Sequence, residues 1–288
     1  ECRFEVEDYA GAILAYEWVA YDFAQSENAA DAGYAAILAY EQIGHGEGAD
    51  LDRQRIASER RFAKRFAEDA RAPGVLEHAA DALLQLGEFE QAAELAATVI
   101  GWQPAPEAGL LTAAGLVMGH SLFALERFDQ AEQIYGDVLS GLPTEDGRYM
   151  DSVNRLAASI YRQGELAAAA GEYGEAAQQF ERVIMAAPLS PHRVNAQFDA
   201  AMNFIQAGEL EHANDLLLDF RKRFPDHALM VSVGANLVSN YEKMEQWQAA
   251  AIELDRIAAQ EPRDERQRQA LYLAASYYDK SGDSELAM

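Results

Sequence analysis

Five times along this chain of 288 residues an alanine is followed, twelve positions later, by a proline. The pairs are Ala92 and Pro104, Ala131 and Pro143, Ala176 and Pro188, Ala213 and Pro225, and Ala250 and Pro262, and a sixth copy opens at Ala287. Successive alanines stand 39, 45, 37, 37 and 37 residues apart, as their numbers show. A fixed period of this length implies an array of supersecondary units, each too small to bury its own apolar face and each completed by its neighbours.

Each unit reads as two helices. Ahead of the turn lies an apolar stripe at helical spacing, as in Ala79, Leu83 and Leu86 or in Leu271, Ala274 and Tyr278. Gly87, Gly171, Gly208 and Gly282 then end that helix, because glycine takes the left-handed cap without a steric cost. A second helix follows, carries the small residue Ala92, Ala131, Ala176, Ala213 or Ala250 where it crosses the first, and stops near the proline. No segment alternates with period two over a useful length, so the expected class is all-α. The spacing predicts aromatic core positions between the helices at Phe89, Phe128, Tyr173 and Trp247.

These residues resemble the tetratricopeptide repeat (TPR) family. Gly234, Val238, Tyr241, Trp247, Ala250, Leu254, Ile257 and Pro262 fill one copy of its pattern, and Gln197, Ala201, Phe204, Leu210, Ala213, Leu217, Phe220 and Pro225 another. The likeness covers residues 73–288 well, as about six units with the last truncated, and residues 1–72 loosely, as divergent helical repeats. It implies a right-handed solenoid of stacked helix pairs. The units are longer than the family's usual 34 residues, and in this they are similar to bacterial cell-envelope members such as the Tol-Pal accessory coordinator and the barrel-assembly lipoprotein. That likeness implies a periplasmic or envelope setting, with a cytoplasmic adaptor, or the non-catalytic arm of a larger enzyme or transport machine, as the alternatives.

In the family the first helices of successive units line a concave groove. Residue by residue, the resemblance places Glu77, Asp81 and Leu84 there from one unit, Leu116, His120 and Phe123 from the next, and Tyr161 and Glu165 from the third. Asn195, Phe198, Met202 and Ile205 follow, then Ala235, Ser239 and Glu242, and lastly Tyr272, Ser276 and Asp279. Leu116, Phe123, Phe198 and Ile205 fit a core role equally well. Aromatic and methionine side chains beside amide, hydroxyl and carboxylate groups suit a protein or peptide partner.

A formal net charge of −25 disfavours nucleic acid and favours basic or neutral proteins. The charge is uneven: residues 53–65 hold Arg53, Arg55, Arg60, Arg61, Lys64 and Arg65 against Glu59 alone. This basic segment is either a docking surface for an anionic partner or a solvated helix face offset by the acidic residues before it, and the second is the expectation. The single cysteine, Cys2, excludes an intrachain disulfide. With no initiating methionine and an end just inside a second helix, the chain is expected to be a piece of a longer protein.

Residues 108–125 carry no formal charge and set Gly115 and Gly119 at the spacing used by close-packed membrane helices. They are also in register as the first helix of a unit, and a buried repeat helix is the reading adopted. Chemistry is sparse. The six histidines are scattered, with no pair at zinc-hydrolase spacing; His212 and Asp215 share a helix face but read as a surface contact. No phosphate-cradling loop or nucleophile elbow occurs, so neither enzyme activity, metal nor cofactor is expected. The 45-residue interval predicts one long helix over 150–170, with residues 150–155 overhanging the array.

Overall fold

The computed structural model describes residues 2–23, 27–43, 49–260 and 265–282. Pro262, Ala287 and His45 lie outside these. Every element among the described residues is a helix, without a strand, and the helices pack in consecutive pairs. They fall into two compact units, 1–159 and 160–288.

The first unit opens with α1 (Cys2–Glu5) and α2 (Tyr9–Glu17), which runs into a π-helical turn over Trp18–Asp22. Then come α3 (Ala29–Ile43) with α4 (Ala49–Arg65), α5 (Ala72–Gln85) with α6 (Phe89–Ile100), α7 (Ala108–Ala124) with α8 (Phe128–Gly141), and the first half of α9 (Tyr149–Ala169). The second unit holds the rest of α9, paired with α10 (Tyr173–Ala186). It continues with α11 (His192–Ala207) and α12 (Leu210–Arg223), α13 (Met230–Lys243) and α14 (Trp247–Gln260), and ends in α15 (Glu265–Ser281).

The turn inside each pair is the same structure made five times. Gly87, Gly171 and Gly208 have φ of 76°, 79° and 85°. Two reversed bonds close each turn, as where Gly87 N–H donates to Leu84 C=O at 3.0 Å and Glu88 N–H to Leu83 C=O at 2.9 Å. Where the sequence lacks a glycine, Glu126 and Glu245 adopt φ of 58° and 55° and make the same two bonds. The turn is therefore fixed by the pairing of the helices and not by glycine alone. The prolines act as expected: α8, α10 and α12 each end two residues before one.

Packing at the crossings explains the small residues. Ala92, Ala131, Ala176, Ala213 and Ala250 are completely buried. A Cβ on Gly119 would lie 2.8 Å from the Tyr135 ring, one on Gly115 2.6 Å from Val138, and one on Gly164 2.9 Å from Phe180. The apolar α7 is thus a helix walled by its neighbours. No helix among the described residues is long and apolar enough to cross a membrane.

Three expectations need correction. Leu271 is 47% exposed although Ala274 and Tyr278 on the same stripe are buried. Of the inter-helix aromatics only Phe128 is core; Tyr173 is 39% exposed and Phe89 and Trp247 are half-buried, although all four begin the second helix of a pair, so position in the unit does not by itself fix burial there. Residues 149–169 do form one helix, but its first turn does not hang free, since Ser152 is completely buried.

Candidate functional site

Within the first unit the groove residues expected from the sequence come from α5 and α7, which pack side by side. Glu77 and Asp81 are one turn apart, both half-buried, and burial followed by the Asp81 charge pushes the Glu77 carboxyl up. His120 is half-buried with its ring 5.8 Å from that of Tyr135. Burial, and then the Arg155 cation, hold His120 below the usual histidine range, so it is neutral. Leu84, Leu116 and Phe123 pack against core side chains and have an apolar structural role.

In the second unit Tyr161 donates to Asp199 Oδ2 at 2.5 Å and so joins α9 to α11. Burial raises the Asp199 carboxyl, against the pull of the tyrosine hydrogen bond. Tyr277 donates to Glu242 and joins α15 to α13 in the same manner, its own hydroxyl pushed up to about 12 by burial and the adjacent carboxylate. Phe198, Met202 and Ile205 are half-buried against the cluster of Leu217, Phe220 and Leu237. Asn195, Ala235 and Asp279 are exposed, and Ser239 and Ser276 are half-buried. Tyr272 stands 81% exposed. Glu165 is half-buried and receives a hydrogen bond from Arg162 at 2.6 Å.

Sequence reading missed Asp199 and Tyr277. The signal was present: Tyr161 and Asp199 are 38 residues apart and Glu242 and Tyr277 are 35 apart, each close to one repeat. Polar partners one period apart on first helices mark contacts between successive units.

A second polar cluster belongs to the basic segment and contradicts its reading as a wholly solvated face. Arg55 is 5% exposed and Glu59 is completely buried. Arg55 Nη1 donates to Glu59 Oε1 at 2.9 Å, and His78 Nδ1 donates to the same oxygen at 2.7 Å. The hydrogen bond to Glu59 holds the His78 imidazole above its ordinary range, against desolvation. With Asp52 and Asp81, Arg55 and His78 edge a cleft of about 240 Å³. His212, paired in expectation with Asp215, instead meets Glu181 at 3.0 Å and stacks on Phe204 with ring centroids 4.1 Å apart. No group of three or more His, Cys, Asp or Glu placed to hold a metal ion occurs among the described residues.

What this arrangement offers is hydrogen-bonding and apolar contact over extended helix faces. Neither unit brings a nucleophile and a base together in the residues singled out.

No family model matches the chain, and no curated protein matches it. Solved structures do. The C-terminal part of a TPR repeat-containing protein from Cytophaga hutchinsonii is 13% identical, with a TM-score of 0.41, over 93% of this chain and 96% of that one. The TPR2AB domain of yeast Sti1 in its pHSP90 complex is 13% identical, TM-score 0.39, over 91% and 99%. BtubC from P. vanneervenii is 19% identical, TM-score 0.37, over 70% and 85%. The all-α architecture of consecutively packed helix pairs itself rests on the chain's own repeated turns and crossings.

Proposed function

We propose that the chain is a non-catalytic scaffold whose paired helices present their first-helix faces to a partner protein or peptide. The observation that carries this reading is Tyr272, a large aromatic left 81% exposed at a predicted groove position. Aromatic anchors of this kind dominate interface energies once a partner covers them. Around it in the second unit, half-open Phe198 and Met202, the amide of Asn195 and the hydroxyls of Ser239 and Ser276 supply further anchors and polar contacts. In the first unit Glu77, Asp81 and His120 supply an acidic, hydrogen-bonding stretch suited to a basic or neutral partner.

The lengthened repeats support a bacterial envelope setting, against which a cytoplasmic adaptor is the alternative. A signal segment encoded upstream of Glu1 distinguishes the two. The binding reading is tested by photo-crosslinking from positions 195, 202 and 272 in the native cell, with Tyr272→Ala and Asn195→Asp as companions. A single partner crosslinked from all three positions and weakened several-fold by Tyr272→Ala supports it. Crosslinks absent from all three, with partner recovery unchanged in both variants, refute it.

A further inference from the structure

The six cations of α4 divide by what they touch. Arg53 donates to Glu88 and Arg55 to Glu59. Arg61 lies over the Tyr21 ring at 3.7 Å and Arg65 over Phe66 at 5.4 Å. Arg60 and Lys64 remain. Arg60 has only the Gln91 amide oxygen, at 3.3 Å, and neither it nor Lys64 meets a carboxylate among the described residues. One helical turn apart and both exposed, they repel one another, in a chain whose 48 acidic residues would make neutralisation easy.

These two cations stand at the rim of a cleft of about 450 Å³ between α4, α5 and α6. Its walls are apolar: Leu76 and Leu95 form the floor, and Thr98 and Trp102 the far side. The cleft is lined mainly from the second helices, α4 and α6, whereas the residues proposed above to meet a partner belong to first helices. An apolar recess sized for one or two side chains, beside two unpaired cations, is complementary to an acidic segment with a bulky apolar residue. The chain as a whole carries a formal net charge of −25, so a patch of unneutralised cations is where such a segment gains attraction. A flat anionic bilayer would meet the repulsion of the whole molecule, whereas a short peptide meets mainly the local field.

We infer that the cleft between α4 and α6 is a docking site for an acidic peptide segment of a partner protein, its apolar side chain seated against Trp102 and its carboxylates paired with Arg60 and Lys64. The test selects a random twelve-residue display library on the intact chain, with counter-selection on Arg60→Gln/Lys64→Gln. Both substitutions are at exposed positions, and circular dichroism confirms the fold. Selected peptides are synthesised and titrated by tryptophan fluorescence, with Trp102→Phe identifying the reporting residue. Thr98→Trp, also exposed, fills the recess without touching the charges.

The expected peptides carry Asp or Glu around a bulky apolar residue. They bind at least about fivefold more weakly to the double variant, in line with the loss of two exposed ion pairs, and at least about fivefold more weakly to Thr98→Trp, whose added ring occupies the seat of the apolar side chain. Salt weakens them, and Tyr272→Ala leaves them unchanged. The inference is overturned if no peptide discriminates the double variant, if the discriminating peptides lack acidic residues, or if Thr98→Trp binds them as the wild type does. Phosphatidylglycerol vesicles that perturb Trp102 in an Arg60- and Lys64-dependent way, where acidic peptides do not, also overturn it, in favour of a membrane.

Discussion

Two glycines in one helix pair should respond oppositely to the same substitution. Gly119 of α7 faces Tyr135 of α8, and an added Cβ would lie 2.8, 3.0 and 3.2 Å from three ring atoms. Tyr135 is completely buried and has no room to retreat. Gly136, one residue along α8, has nothing within 4 Å of the same Cβ. Alanine in a helix interior gains about 0.8–1.0 kcal/mol over glycine wherever space permits. Overpacking a filled site costs about 1–3 kcal/mol. Gly136→Ala should therefore stabilise by about 0.5–1 kcal/mol, and Gly119→Ala should destabilise by about 0.5–2 kcal/mol. Urea unfolding followed by far-ultraviolet circular dichroism measures both. Repeating Gly119→Ala in a Tyr135→Leu background isolates the ring: with the clash removed, the alanine penalty should vanish or change sign. A Gly119→Ala protein as stable as the wild type, or a penalty undiminished by Tyr135→Leu, would refute the argument that the ring sets the glycine requirement.

Three further outcomes follow from the same coordinates. Glu245 occupies a left-handed cap with φ of 55°, so Glu245→Gly should raise stability by about 0.5–1 kcal/mol in a chemical melt, strain relief exceeding the added freedom of the unfolded chain. Glu59→Ala leaves buried Arg55 with Asp52, 3.8 Å away, as its carboxylate partner and the His78 ring at 3.0 Å; the expected loss is about 3 kcal/mol, and one below about 1 kcal/mol would mean that Arg55 swings into water. His78 is held above its ordinary range by Glu59, so its stabilisation is complete below about pH 6.5 and is lost as pH rises through the higher folded-state value. The difference in melting temperature between wild type and His78→Gln should shrink from pH 6 to pH 9, and a constant difference would exclude the linkage.

The fold was legible because its determinants are local and periodic. An alanine at a crossing, a glycine at a left-handed cap and a proline past a helix end each act within a few residues, and together they locate both helices of a unit. Gly115 and Gly119 illustrate the limit of local reading. Their spacing also suits a membrane helix, and only the position of Tyr135 and Val138 on the next helix shows what the missing side chains admit. The first-turn aromatics fail for a related reason: Phe128 and Tyr173 occupy equivalent places in sequence, yet one is buried and the other open, because burial there depends on how closely neighbouring helices cover that end of the pair.

Charge was legible in amount but not in role. The six cations of α4 look alike in sequence, and the structure assigns them to a buried carboxylate, a half-buried one, aromatic faces and an apolar recess. The partners of Arg53 and Arg60 lie 35 and 31 residues away, roughly a repeat, while that of Arg55 is one helical turn on. A helix in a stacked array has one neighbour before it and another after it, so each of its faces meets a different environment at a distance near the repeat length. Periodicity therefore determines where α4 runs, whereas the residues one repeat away determine which of its charges are satisfied. Arg60 and Lys64 are distinguished by that criterion alone, since the residues one repeat along supply them an amide and a hydrophobic wall in place of a carboxylate.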